Sequence, residues 1–261
     1  MAAQAIHSEG IILASTKLKE TDAILTLLLK NGEQCRAVCH GARKPGGKFG
    51  ARAQVFTCAD FLIKPGRNLD TIGEISTLAS NAGLRCDLEY SNLAYIVCSF
   101  AIQLSYQDAL NAQMYEMTKK ALTFLDEYAS LKKEADLLVA AYIFKLFAMH
   151  GLMPEMNNCV MCSESFEDIF SLNPEAKLWF GPHAGGFVCN SCSHLLLGAH
   201  LVPNTLHEWL SALIYSSFEE ISDFEVHEEI NEALFKAAFW WTREHLDTHI
   251  KALEFYIEQK Y

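Results

Sequence analysis

The sequence predicts a multidomain α+β protein: an N-terminal β-barrel of the OB-fold kind, then an α-helical domain carrying a zinc-ribbon-like insert. Three observations lead there. Short apolar segments, partly alternating and separated by turn residues, fill the first 80 residues. Apolar residues recur at helical spacing from about residue 82 onward. Two Cys-x-x-Cys pairs interrupt that helical region. The expected boundaries are 1–80 for the barrel, 81–157 for the first helical part, 158–194 for the cysteine insert and 195–261 for the second helical part.

The strand segments are GIILAS, AILTLLLK, QCRAVCHG, AQVFTCADFLIK and LDTIGEIS. Turn signals divide them: Asn31-Gly32, Gly41, Pro45-Gly46-Gly47, Pro65-Gly66 and Gly73. In the fourth, Val55, Thr57, Ala59 and Phe61 point one way and Phe56, Cys58, Asp60 and Leu62 the other. Five strands in so short a span suit a closed barrel, and OB-folds commonly bind oligonucleotides. The 41–50 stretch, GARKPGGKFG, is then expected to be a long, mobile connection between strands.

Leu93, Ile96, Val97, Phe100, Ala101 and Leu104 follow the spacing of one helix face. Met114, Met117, Ala121 and Leu125 begin a second helix. Leu137, Leu138, Ala141, Phe144 and Ala148 make a third, stopped by Gly151 and Pro154. Later helices follow from Leu206, Leu210, Leu213 and Ile214, and from Ile230, Leu234, Ala238 and Trp241. The acidic run from Glu219 to Glu232 reads as a solvated helix face and its lead-in.

Cys159 and Cys162 form one pair, Cys189 and Cys192 the other. Each tight turn turns two sulfurs toward a common point, and two such knuckles supply the four thiolates of a closed structural zinc site. The intervening segment holds KLWF and GGFVC around Gly181-Pro182-His183-Ala184-Gly185, an expected β-hairpin. One zinc ion is therefore the expected cofactor, substituting for the core so small a segment lacks. The alternatives are free thiols, disulfides or a redox pair. His183, His194 and His200 lie close in sequence but are not needed as ligands. Cys35, Cys39, Cys58, Cys86 and Cys98 read as small buried hydrophobes.

The formal net charge is −11, but it is unevenly placed. Residues 1–80 carry ten Lys and Arg against seven Asp and Glu, a net +3; the remainder carries 11 against 25, a net −14. Within 30–67, Lys30, Arg36, Arg43, Lys44, Lys48, Arg52, Lys64 and Arg67 face only Glu33 and Asp60. A basic domain on an acidic body points to a polyanionic partner. Arg43, Lys44, Lys48 and Arg52 are the candidate phosphate contacts, with Arg36, Lys64 and Arg67 in support. Phe49 is a candidate for base stacking or for anchoring the turn on the core.

No enzyme signature emerges. There is no G-x-x-x-x-G-K-[ST], no G-x-G-x-x-G and no H-E-x-x-H. His245 and His249 read as a surface pair on one helix, and Ser130-x-x-Lys133 as part of a polar link. Glu20 and Asp22 read as turn residues at the start of a strand. No apolar run approaches the ~18 residues of a membrane span, and the N-terminus lacks a signal-peptide pattern, so a cytoplasmic protein is expected.

Gly10-Ile-Ile-Leu-Ala-Ser-Thr-Lys-Leu-Lys-Glu20-Thr-Asp22, Asn31-Gly32, His40-Gly-Ala-Arg43-Lys44, Phe49-Gly-Ala and Gly66-Arg-Asn-Leu-Asp70-Thr together resemble the N-terminal domain of the RecO family. The helix–CxxC…CxxC–helix layout that follows is similar too, so the resemblance spans nearly the whole chain. Gly46-Gly47 and Ala53-Gln54-Val55 depart from the family pattern. The resemblance implies a non-catalytic, nucleoid-associated recombination mediator. Such a protein binds single- and double-stranded DNA, anneals complementary strands and acts with RecR. It binds the acidic tail of single-stranded-DNA-binding protein (SSB) and helps load RecA onto coated strands. The alternative class is an RNA-binding adaptor built from the same barrel and zinc ribbon, since a basic turn reads phosphate and not the sugar.

Overall fold

The computed structural model describes residues 4–107 and 111–261. The chain forms two compact units, Met1–Ala135 and Asp136–Tyr261. In the first, β1 (Ile6–Lys17), β2 (Ala23–Leu29), β3 (Gln34–Cys39), β4 (Cys58–Lys64) and β5 (Asp70–Ala79) close a barrel in the order β1-β2-β3-β5-β4. All neighbours are antiparallel except β3 and β5, which pair in parallel at Ala37–Asp70 and Val38–Thr71. This is an OB-like barrel. Strand β1 makes closure possible: its first half pairs with β4, its second half with β2, and a bulge between Ile12 and Ala14 bends it. Ile12, Leu25, Leu27, Ala37, Phe61, Ile63, Ile72 and Ile75 fill the interior.

The expected turns hold at four of the five places. Asn31-Gly32 joins β2 to β3, and Gly32 has φ +88. A Cβ there would lie 2.3 Å from the Asn111 backbone nitrogen, so only glycine fits. Gly73, by contrast, lies inside β5 and not at a turn. The fourth strand begins at Cys58, five residues later than the sequence pattern suggests. Residues 53–57 are loop, with Phe56 at φ +71 and fully buried.

Two helices complete the first unit: α1 (Leu88–Gln107) and α2 (Ala112–Leu131). The six α1 residues singled out by spacing are all buried. The Asn111 side chain accepts from the Gln113 N–H and caps α2. These helices pack with the barrel, so the compact unit extends well past residue 80. Buried Tyr115 on α2 explains the attachment: its hydroxyl lies 3.5 Å from Cys58 Sγ and donates to Glu9 at 3.4 Å.

The second unit is built around α3 (Asp136–Met149), which is buried on nearly every side. The chain continues through α4 (Phe166–Leu172), β6 (Leu178–Gly181), β7 (Gly186–Cys189), α5 (Asn190–Ser193) and β8 (His200–Val202). Then follow α6 (Leu206–Tyr215), α7 (Phe218–Ile221), α8 (Glu228–His245) and α9 (Lys251–Lys260). The Lys145 ammonium donates to the Ile214 and Ser216 carbonyls, satisfying the end of α6. Helix α8 stops at His245, so His249 is not on the same helix; it bonds to Glu254 in α9. His245 is half-buried, lying on Trp241 and 3.1 Å from the Pro182 carbonyl. The expected surface pair is thus two unrelated positions. Among the described residues, no helix is long and apolar enough to cross a membrane.

Candidate metal centre and nucleic-acid interface

The insert is a three-stranded sheet in the order β7-β6-β8, with the expected hairpin at its centre. It reaches beyond 158–194 at both ends: Glu155 pairs with Gly186 and Phe187, and β8 adds Leu201 opposite Trp179. A three-residue strand is too short to leave an alternation in sequence. The insert also has an apolar core, with Phe166, Phe180 and Phe187 buried and Phe180 against Trp241.

The knuckles bring the Sγ atoms of Cys159, Cys162, Cys189 and Cys192 within 4.8 Å of one another. Cys162 and Cys189 are 3.9 Å apart, far beyond the ~2.05 Å of a disulfide. A tetrahedron of sulfurs ~2.3 Å from one ion has edges of ~3.8 Å, so the set fits one metal ion. Burial raises the Cys159 thiol, yet N–H groups of Cys189, Cys162 and Met161 outweigh it and bring it down to about 7. Burial and thiolate neighbours push Cys192 up. Four such groups crowd negative charge that a cation at their centre neutralises. His183 instead bonds Glu244, and His200 stacks on Trp240 at 3.7 Å, so neither is available as a ligand.

The remaining cysteines divide. Burial raises Cys35 and Cys39 to about 11, and it raises Cys58 and Cys98 as well. These four are inert core thiols. Cys86 is not: it is exposed beside a 3-10 turn, its thiol on the Ala82 carbonyl.

Residues 40–57 connect β3 to β4 through a series of hydrogen-bonded turns. Lys44 N–H bonds Gly41 O, Gly47 N–H bonds Lys44 O, and Gly50 N–H bonds Gly47 O. Arg52 and Ala53 both donate to Phe49 O. Ala42 and Ala53 are buried in the barrel core, with Phe49 and Val55 packed partly buried against it. The long connection expected from the sequence is thus a run of tight turns with apolar side chains packed on the barrel core. Phe49 is one of those anchors, with the Lys48 ammonium 5.2 Å from its ring centroid.

Arg43, Lys44, Lys48 and Arg52 are exposed on this connection. The Arg52 guanidinium donates to Ile75 O at 3.3 Å, so part of it is committed to β5. Arg36 projects from β3 opposite Thr26 of β2, on the outside of the barrel. Lys64 ends β4, and Arg67 lies in the β4–β5 turn; both are exposed. Among the described residues, no carboxylate ion-pairs with any of these seven, whereas Lys30 is held by Glu9 at 3.2 Å. Two cations escaped the sequence reading. Lys17 and Lys19 are exposed at the β1–β2 turn, and that turn is bonded to the β3–β4 connection: Arg43 N–H donates to Thr21 O at 2.9 Å. Their only signal in sequence is the turn chemistry of Glu20-Thr21-Asp22, which carries no register to residue 43.

Comparison with known families agrees with this architecture. The model described as "Recombination protein O N terminal" matches residues 1–81, and "Recombination protein O C terminal" matches 85–254. The chain is 23% identical over 250 residues to the DNA repair protein RecO of Thermoanaerobacter sp. (strain X514), covering 96% of each. It is 27% identical over 254 residues to that of Bifidobacterium adolescentis, covering 95% of this chain and 97% of the relative. Barrel, helices, cysteine cluster and both matches converge: the chain belongs to the RecO family of DNA repair proteins.

Proposed function

We propose that this protein is a non-catalytic recombination mediator that grips DNA backbones on the basic side of its barrel. It binds single- and double-stranded DNA, anneals complementary strands, and with RecR helps load RecA onto strands coated by SSB, whose acidic tail it binds. It works in the cytoplasm, at the nucleoid. The observation that carries this reading is the β3–β4 connection: among the described residues, Arg43, Lys44 and Lys48 stand exposed and without a carboxylate partner on a hydrogen-bonded turn of an OB-like barrel. Each cation placed on a phosphate releases condensed counterions, a driving force that ignores sequence. Annealing needs two strands near one another with their repulsion screened, which a cationic surface supplies without covalent chemistry. The names of the relatives favour DNA over RNA. The four-thiolate cluster holds one zinc ion, a closed structural site with no position for a reacting water. Annealing of complementary oligonucleotides, with and without SSB, tests the proposal. Acceleration in both conditions supports it; annealing no faster than the uncatalysed rate would overturn it.

A further inference from the structure

Asp22 is a buried carboxylate in the β1–β2 turn; Lys17 and Lys19 stand exposed in or beside that turn, and Arg43 and Lys44 stand exposed on the connection bonded to it. Electrostatics alone makes it unwelcome there, since a carboxylate beside a phosphate-binding surface repels the ligand. Its bonds give it a purpose. Oδ1 accepts the Gly41 N–H at 2.9 Å, and Oδ2 lies 2.9 Å from His40 Nδ1. The Thr21 hydroxyl donates to Oδ1 at 3.2 Å, and the Thr21 carbonyl accepts the Arg43 N–H at 2.9 Å. The first four residues of the β3–β4 connection are thereby stapled to the β1–β2 turn. Gly41, at φ +70, lets the chain swing away directly after the staple.

We infer that Asp22 is a positioning residue that joins the β1–β2 turn and the β3–β4 connection into one cationic ledge, and that Lys17 and Lys19 extend the phosphate-binding track of Arg43 and Lys44. The inference rests on the DNA-binding reading above. A strand laid on the ledge meets cations already held in register, so binding does not bear the cost of ordering a free loop.

The two possible roles of Asp22 predict opposite signs. If it acts only as a charge, removing it strengthens DNA binding; if it positions the ledge, removing it weakens binding. The test is fluorescence anisotropy with labelled oligo(dT) over a salt series at pH 8. Wild type is compared with Asp22→Ala, Asp22→Asn, His40→Ala, the double Lys17→Ala/Lys19→Ala variant, and the triple Arg43→Ala/Lys44→Ala/Lys48→Ala variant. Asp22→Ala is expected to weaken binding roughly tenfold, about 1.4 kcal/mol. Asp22→Asn keeps a carbonyl for Gly41 and an amide donor for His40, and is expected to bind at least as tightly as wild type. His40→Ala is expected to weaken binding about threefold, the share of one of the latch bonds. The double lysine variant should lower the salt slope by about 1.4, near 0.7 per phosphate contact. Asp22→Ala binding as tightly as wild type, or tighter, would overturn the positioning role. Should that variant not fold, His40→Ala decides: affinity equal to wild type overturns the latch. An unchanged slope in the double variant removes Lys17 and Lys19 from the track. If wild type and the triple variant bind alike, the DNA-binding reading itself fails, a result separate from any failure of the latch.

Discussion

At the scale of single residues, two buried carboxylates organise the two units. Asp22 has its carboxyl held below the usual 3.8, first by the Gly41 N–H and then by His40. A depressed folded-state value means its stabilising contribution is complete above 3.8 and is lost only as pH falls below it. The Asp22 side-chain carboxyl resonance should therefore titrate with its midpoint below 3.8; a midpoint at or above that ordinary value contradicts the latch geometry. Asp136, 1% exposed at the start of α3, accepts from Lys260 Nζ at 2.8 and 2.9 Å and from the Tyr256 hydroxyl at 2.8 Å. Lys260→Met strands that carboxylate without its counter-ion, which costs about 3 kcal/mol for a buried pair. Urea denaturation reads this directly, and an unchanged midpoint would show that the hydroxyls of Tyr256 and Tyr261, the latter 3.3 Å from Asp136 Oδ1, alone satisfy Asp136.

At the scale of elements, the insert joins two sources of stability. Its strands of three or four residues and the four-residue α5 are too short to persist alone. The Phe166, Phe180 and Phe187 cluster anchors the sheet, while the four cysteine sulfurs meet at the knuckles, where a metal ion would tie them together. Structural zinc in such a site contributes ~10–16 kcal/mol of binding energy. Protein purified without added zinc should carry one ion per chain. Stripping it should release amide-exchange protection at Cys159–Ser163 and Cys189–Ser193 and leave the barrel strands protected. Loss of protection confined to no segment, or a fully protected metal-free protein, would contradict the assignment.

At the scale of the molecule, what the sequence discloses follows the range of the interactions involved. Period-two runs such as Leu25, Leu27 and Leu29, and the α1 face from Leu93 to Leu104, report local geometry and reappear as barrel wall and buried helix face. The cysteine cluster is legible because each Cys-x-x-Cys turn is local, and the two turns bring the four sulfurs together. Non-local facts are hidden. Nothing near Tyr115 in sequence says that its hydroxyl meets Glu9, which is why α1 and α2 belong to the barrel's unit. The bonds from Gly41 to Asp22 and from Arg43 to Thr21 join segments about 20 residues apart, and Phe56 takes a left-handed backbone where alternation suggests a strand.

The central claim is electrostatic: exposed cations on a fixed ledge of an otherwise acidic chain form the DNA contact. The salt dependence of oligo(dT) affinity, compared between wild type and the Arg43→Ala/Lys44→Ala/Lys48→Ala variant, tests it most directly. The account predicts weaker binding of the variant to every sequence and a log–log salt slope shallower by about 2, near 0.7 for each lost contact. Equal affinity and equal slope would contradict it.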